Sequence, residues 1–266
     1  MKSSLRLEGV TCTFAAREGN ADYSAVADVN LAVLEGEFVS VVGPTGCGKS
    51  TLLNVAAGLL APTRGSVTVF GEKLQSINRR AGYLFQSEAL LPWRTAMQNV
   101  TVGLEFRGFA AEEARSRAAD WLKRVGLAAH GHKYPHELSG GMRKRVALAQ
   151  TLILDPKMLL MDEPFSALDV QTRSLMENEL LSLWAQDRKS VMFVTHDLEE
   201  AISLSDRVVV MSAGPASRLI GEFAIDLPRP RDVAEIRLTP RFVEIHKLIW
   251  TALRDEVQKA YSLSLS

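Results

Sequence analysis

Apolar positions along the chain change period twice. Residues 5–42 read mostly as strands, and the short run Glu37–Val42 is apolar almost throughout and stops at a glycine. A run of that kind suits a parallel strand buried on both faces. Lys49–Leu60 reads as a helix. Val67–Phe70, followed by Gly71 and Glu72, suggests a hairpin, and Gly82–Phe85 is a further strand. From about Thr95 to Leu154 helical periodicity replaces alternation. Within that stretch Ala110–Val125 places Ala114, Ala118, Trp121, Leu122 and Val125 on one side of a helix. Alternation of strands and helices then returns, with Met158–Met161, Val191–Val194 and Val208–Met211 as apolar strands. A helical insert therefore interrupts an α/β core. Leu227-Pro228-Arg229-Pro230-Arg231 breaks the pattern and reads as a linker. Beyond it Phe242, Ile245, Ile249, Leu253 and Val257 recur at helical spacing, a stripe better explained by packing than by a partner.

Composition narrows the class. The chain of 266 residues is 47% hydrophobic and 23% charged, which favours a packed core over disorder. Lys plus Arg and Asp plus Glu number 31 each, so the whole chain lacks the basic footprint of a nucleic-acid binder. Two cysteines, Cys12 and Cys47, form no disulfide framework and fit a reducing compartment. Met1 to Gly9 has no apolar core like that of a signal peptide. No stretch approaches the roughly 18 apolar residues of a membrane span, so any membrane role is expected to run through partners.

The chemistry begins at Gly43-Pro44-Thr45-Gly46-Cys47-Gly48-Lys49-Ser50, a match to the P-loop pattern G-x-x-x-x-G-K-[ST] between an expected strand and an expected helix. Its glycines let backbone N–H groups curl around a phosphate, and the helix N-terminus adds a favourable field. Lys49 is expected to reach the β- and γ-phosphates of a nucleotide and Ser50 to ligate Mg²⁺. A glycine-rich turn that merely contains Gly-Lys-Ser is the plain alternative. Cys47 reads as a small residue that fits rather than as a redox group. Further on, Met158-Leu159-Leu160-Met161 ends in Asp162-Glu163. A carboxylate at a strand end can hold Mg²⁺ through water, and the next one can act on the attacking water as base or orienting group.

Leu138-Ser139-Gly140-Gly141-Met142 stands before an apolar helical stretch. It resembles the signature motif of ABC (ATP-binding cassette) ATPases, with Met142 where Gln is usual. By itself the string also reads as a serine N-cap. The other family strings occur in order. Gln86 resembles the Q-loop glutamine, Ser166-Ala167-Leu168-Asp169 the D-loop, and His196 in Thr195-His196-Asp197 the switch histidine. The resemblance runs over roughly 5–225. The strings Leu90-Leu91-Pro92-Trp93-Arg94-Thr95 and Arg229-Pro230-Arg231-Asp232 are similar to the nitrate/sulfonate/taurine group of bacterial importers.

The resemblance implies an α/β fold: a P-loop NTPase core with an antiparallel β subdomain and an inserted α-helical subdomain. It divides the chain into a cassette at 5–227, with the insert at about 95–154, and a linker and helical extension at 228–266. It implies ATP and Mg²⁺, with Gly43 to Ser50 and Thr51 on the phosphates and Ser50, Gln86 and Asp162 toward the metal. Glu163, His196 and Gln86 would act in hydrolysis. Ser139, Gly140 and Gly141 would grip the γ-phosphate held by a second copy arranged head to tail. Phe14 stands where the family places its adenine-stacking aromatic; Tyr23 is the rival, because residues 15–25 look like a lengthened loop. The implied partners are a second copy, permease subunits and, indirectly, a solute-binding protein, with no nucleic acid, at the cytoplasmic face of the inner membrane. The permease's coupling helix would lie beside Leu90–Thr95, with Trp93 as anchor or, equally, as a core residue of the insert. The competing functions are a soluble ABC protein acting on nucleic acid or ribosomes, an exporter cassette, and an ordinary P-loop kinase or GTPase.

Overall fold

In the computed structural model, which describes residues 2–15, 22–87 and 89–264, ten strands and eight α-helices alternate. In chain order they are β1 (Ser3–Phe14), β2 (Tyr23–Leu34), β3 (Phe38–Val42), α1 (Lys49–Ala56), β4 (Arg64–Val69), β5 (Glu72–Lys73) and β6 (Ala81–Leu84). The insert supplies α2 (Ala96–Phe106), α3 (Ala111–Arg124) and α4 (Gly140–Leu152). Then come β7 (Met158–Asp162), α5 (Val170–Asp187), β8 (Ser190–Val194), α6 (Leu198–Leu204), β9 (Arg207–Met211), β10 (Leu219–Ala224), α7 (Val233–Ile236) and α8 (Pro240–Ser264). Most of the segment 15–25 read as a lengthened loop lies outside the described residues.

Two sheets form. One is antiparallel in the order β2-β1-β4-β5; the other runs β10-β9-β3-β8-β7-β6 and is parallel except for the edge strand β10. Every residue of β3 and β8 is buried, because helices cover both faces of the parallel sheet. In β1 burial alternates: Leu5, Leu7, Val10 and Cys12 face a shared core with Val39, Val41, Leu52 and Leu53, while intervening residues are open. The antiparallel sheet thus lies against α1 and the central strands.

Topology places the site. The chain leaves the parallel sheet after β6, β3, β7 and β8 at one edge, the carboxyl end of the strands, where ligands of open α/β sheets bind. The sequence candidates Gln86, Gly43–Ser50, Asp162–Glu163 and His196 all stand on those exits.

In the insert, α2 opens with a capping box. The Gln98 N–H donates to the Thr95 hydroxyl at 3.3 Å, and the Thr95 N–H donates to Gln98 Oε1 at 2.9 Å. Ala114, Ala118 and Leu122 of α3 meet Ala96, Val100 and Leu104 of α2 and Val146 and Ala149 of α4 in a separate small core. Trp121, expected on the buried side, is only partly covered.

Some boundaries differ from the sequence expectation. α1 stops at Ala56 rather than Leu60, because Gly58 turns to φ 69° and a Cβ there would stand 2.1 Å from the Ser76 carbonyl. β10 escaped the pattern because it is a half-exposed edge strand with Gly221 inside it. The stretch 227–231 is fastened rather than loose: Arg229 stacks over Trp184 and pairs with Asp206 at 2.8 Å, and Arg231 is buried. In α8, Phe242, Ile245, Ile249 and Leu253 are buried against Leu198, Ala201, Val208 and Val210; Val257 is exposed. Each such side chain contributes about 2 kcal/mol of burial, which holds the helix on the core.

Candidate functional site

β3 delivers the chain into the glycine loop. A Cβ at Gly43 would lie 2.8 Å from the Cys47 sulfur and 3.0 Å from Met211, and one at Gly48, where φ is 94°, would lie 2.6 Å from Val26. Only glycine fits either position. Gly46, at φ 78°, faces open space. The buried Lys49 folds its ammonium back over the loop and donates to the carbonyls of Gly43 at 2.9 Å and Pro44 at 3.0 Å. A cation is thereby held over the cradle of loop N–H groups. Cys47 is buried, and burial pushes its thiol pKa up despite the nearby Lys49, so it stays protonated and inert.

The carboxylates arrive from β7. Ser50 Oγ donates to Asp162 Oδ1 at 3.0 Å, joining the first turn of α1 to the strand end. Burial raises the Asp162 pKa. The Ser50 hydroxyl, Lys49 and Tyr83 oppose that shift, while the neighbouring Glu163 adds to it. Glu163 itself has φ 43°, a left-handed conformation that costs a non-glycine residue on the order of 1–3 kcal/mol. It is locked there by its N–H donating to the Val194 carbonyl at 2.8 Å and by the Ser166 hydroxyl donating to its own carbonyl at 3.0 Å. The turn carries Glu163 Oε2 to 2.9 Å from His196 Nδ1 and 3.5 Å from Gln86 Nε2. Side chains from the ends of β8 and β6 therefore converge on one carboxylate oxygen at the end of β7.

These groups line a cavity of about 490 Å³ together with Thr45, Gly46, Gly48, Lys49, Ser50, Thr51, Phe14 and Tyr23. Phe14 and Tyr23 are opposite one another in the β1–β2 register, and both are half exposed. Either ring can offer a flat face to a base, so geometry leaves the two aromatics level.

Ser139, Gly140 and Gly141 are not among the residues lining that cavity. Ser139 caps α4, accepting from the Met142 N–H at 3.3 Å. Gly141 is packed against α5 so closely that a Cβ would meet Thr172 at 2.7 Å. Asp169 caps α5 by accepting from the Thr172 N–H at 2.9 Å. The Lys144 ammonium, one turn into α4, donates to the Gln86 carbonyl at 2.5 Å and ties α4 to the segment after β6. Gly43–Thr51, Gln86, Asp162, Glu163 and His196 thus gather within one chain, and 139–141 stand apart from them.

Sequence reading missed the support behind these groups. The Tyr83 hydroxyl donates to Asn54 at 3.1 Å, beside Asp162. Arg173 spans Asp197 at 3.0 Å and the Leu168 carbonyl at 3.2 Å. Glu177 and Glu200 are buried carboxylates behind the turn that carries His196. The only local signal was their place on apolar helical faces, which does not separate a buried acid from a solvated one.

Comparison with known proteins agrees with this geometry. Residues 26–166 match the family described as ABC transporter. An ABC transporter ATP-binding protein of Methanocaldococcus jannaschii, itself uncharacterized, is 46% identical over 261 residues, covering 98% of this chain and 95% of the relative. A taurine import ATP-binding protein of Rhizobium johnstonii is 40% identical over 249 residues, covering 92% and 94% of the two chains. A nitrate import ATP-binding protein of Synechococcus elongatus is 40% identical over 225 residues, covering 84% and 82%. Among solved structures, a dimeric ATP-binding cassette in a post-hydrolysis state with ADP and Pi superposes with a TM-score of 0.74 at 34% identity, covering 84% of this chain and all of that one.

Proposed function

Because the chain belongs to the ABC transporter family, with the ABC ATPase fold, we propose that it is the ATP-hydrolysing subunit of an importer for a small solute of the nitrate, sulfonate or taurine kind. The observation that carries the reading is the convergence of Gln86, Glu163 and His196 in the cavity that also holds Lys49 and Ser50. Lys49 and the loop N–H groups bind the phosphates of ATP, and Phe14 or Tyr23 stacks on the adenine. Glu163 takes the proton of, or orients, the attacking water, with His196 and Gln86 fixing its carboxylate.

The donor set fits Mg²⁺. Ser50, Asp162 and Gln86 offer hard oxygens, and the described residues contain no cluster of His, Cys, Asp and Glu able to cage an ion alone. Mg²⁺ is commonly held by one or two protein oxygens plus phosphates and water. When bound, it neutralises charge on the phosphates.

Ser139, Gly140 and Gly141 serve the nucleotide of a second copy, which explains why they do not line their own chain's cavity. Each ATP then lies between the loop of one chain and the signature of the other. Permease subunits supply the membrane path, since among the described residues no helix is long and apolar enough to cross a membrane. Their docking groove is the cleft lined by Tyr83, Phe85, Ala89, Val102, Gly103 and Leu154, bordered by the Gln86 segment and the insert. Trp93 is 71% exposed, which removes the core reading of that tryptophan. A solute-binding protein acts on the permease from the far side, and this chain sits peripherally at the cytoplasmic face of the inner membrane. The import names of the relatives favour this reading over an exporter or a nucleic-acid role.

Glu163→Gln tests the assignment. The amide keeps the shape but cannot accept a proton, so ATP binding persists while turnover falls at least ~100-fold. The variant collects as an ATP-bound dimer in size-exclusion chromatography. Hydrolysis at the wild-type rate overturns the role of Glu163.

A further inference from the structure

His196 stands between β8 and α6, and α6 has only 7 residues. Asp197 caps it, accepting from the N–H groups of Glu199 at 2.9 Å and Glu200 at 3.1 Å. So short a helix makes few bonds of its own. Its position, and that of the imidazole just before it, depends on what grips it from outside.

The apolar residues Leu198, Ala201 and Ile202 of α6 pack on Val42, Val208 and Val210 and on α8, and its polar grip comes from the segment after β10. Arg231 is 7% exposed, and its guanidinium donates to five carbonyls. Three of them belong to Ile202, Ser203 and Ser205, at 3.2, 3.1 and 2.8 Å. These are carbonyls at the end of α6 that lack helical partners. Arg237 reaches the same helix from the side, with Nε 3.3 Å from the Ser203 hydroxyl and 3.7 Å from the Glu199 carboxylate. Its Nη2 donates to Glu177 Oε2 at 3.0 Å, on a fully buried acid of α5. From α5, Arg173 closes the circuit to the cap, donating to Asp197 at 3.0 Å and to the Leu168 carbonyl at 3.2 Å. The guanidinium fork of Arg237 thus bridges α5 and α6, the helix that follows the turn carrying His196.

We propose that Arg237, with Arg231 beside it, is a positioning residue for hydrolysis: the C-terminal segment holds α6 in place, and through Asp197 it holds His196 at hydrogen-bond distance from Glu163. The inference rests on the proposed ATPase reading, in which His196 and Glu163 act together. It gives the C-terminal segment a part in turnover and none in nucleotide affinity, because no residue beyond β10 lines the cavity.

The test uses the full-length chain in two variants, with kcat, KM for ATP, affinity for a fluorescent ATP analogue and Tm read for each. Arg237→Met paired with Glu177→Gln removes the guanidinium without leaving a buried carboxylate unpaired. Arg237→Lys keeps the charge at Glu177 but replaces the planar fork by a point donor that cannot serve α5 and α6 at once. Both are expected to bind the analogue as tightly as wild type and to keep KM, while kcat falls ~10-fold or more, since a displacement on the order of 1 Å at a reacting group costs up to ~100-fold. If the double variant does not fold, the lysine variant decides by the same readings. Wild-type kcat in a folded variant overturns the proposal, as does a loss of nucleotide affinity equal to the loss of kcat, which marks general damage. Failure of the ATPase reading is separate: it shows as a wild-type chain without ATPase activity or a fully active Glu163→Gln.

Discussion

The buried acids behind His196 predict an unusual dependence of stability on pH. Glu200 is 3% exposed, and its carboxyl pKa is pushed from the ordinary 4.5 up to about 8. Burial is the main cause. The Thr195 hydroxyl and Arg173 pull it down, and the like charges of Glu177 and Asp197 push it further up. Glu177 is raised to about 7, again by burial first, against Arg237 and Arg173. A folded-state pKa above the unfolded one means that the native chain keeps a proton which the unfolded chain releases. This contribution is fully present below pH 4.5 and is lost as pH rises through about 8. At about 1.4 kcal/mol per pH unit, Glu200 alone lowers stability by roughly 4 kcal/mol between about pH 5 and 8. Glu200→Gln replaces the neutral acid by a neutral amide of the same shape. Its unfolding free energy, from urea titrations at several pH values, is expected to decline less steeply than that of wild type. The gap between the two curves should widen toward alkaline pH by up to that amount. Parallel curves from about pH 5 to 8 mean that Glu200 ionises alike in both states and overturn this expectation.

Two other substitutions probe the site and the partner face. Lys49→Ala removes the ammonium that lies over the loop carbonyls; nucleotide affinity is expected to fall at least ~10-fold, the loss of one charge-assisted contact of about 1.5–3 kcal/mol, with hydrolysis abolished. Fluorescent-nucleotide titration reads this, and normal affinity with normal turnover removes the phosphate assignment. Trp93→Ala leaves the isolated chain folded and able to bind ATP, because the ring is exposed, but is expected to reduce solute uptake in vesicles carrying the whole transporter by ~10-fold, as for an interface anchor worth over 1 kcal/mol. Unchanged uptake takes Trp93 out of the interface.

Much of this was legible in the sequence because it is local. Gly43–Ser50 needs only one strand, one loop and one helix, and the apolar run before Asp162 marks a strand end by itself. The contact between Glu163 and His196 is different. The two residues lie 33 apart and meet because β7 and β8 run parallel in a register that sets Asp162 against Val194. No periodicity encodes that register, and only the ordered set of family strings pointed to it. The short Arg-Pro-Arg stretch looked like a linker because prolines break both periods, whereas its arginines are held by carbonyls and by Trp184. Such contacts depend on where a turn delivers a side chain. The burial of Glu177 and Glu200 was hidden for a related reason: a charged residue on a helix reads as solvated until something packs over it.

In the shared-site assembly one chain gathers Lys49, Ser50, Asp162, Glu163 and His196 while 139–141 act on the nucleotide of a second chain. Mixing two inactive variants measures it directly. Lys49→Ala and Ser139→Arg chains are each prepared as inactive homodimers and then combined, and heterodimer formation is verified by differential tags. A mixed dimer has one site with both defects and one site with neither. The shared-site account predicts that ATPase activity returns on mixing, toward the activity of a single intact site per dimer. A verified heterodimer without activity, or a Ser139→Arg homodimer that is fully active, contradicts it.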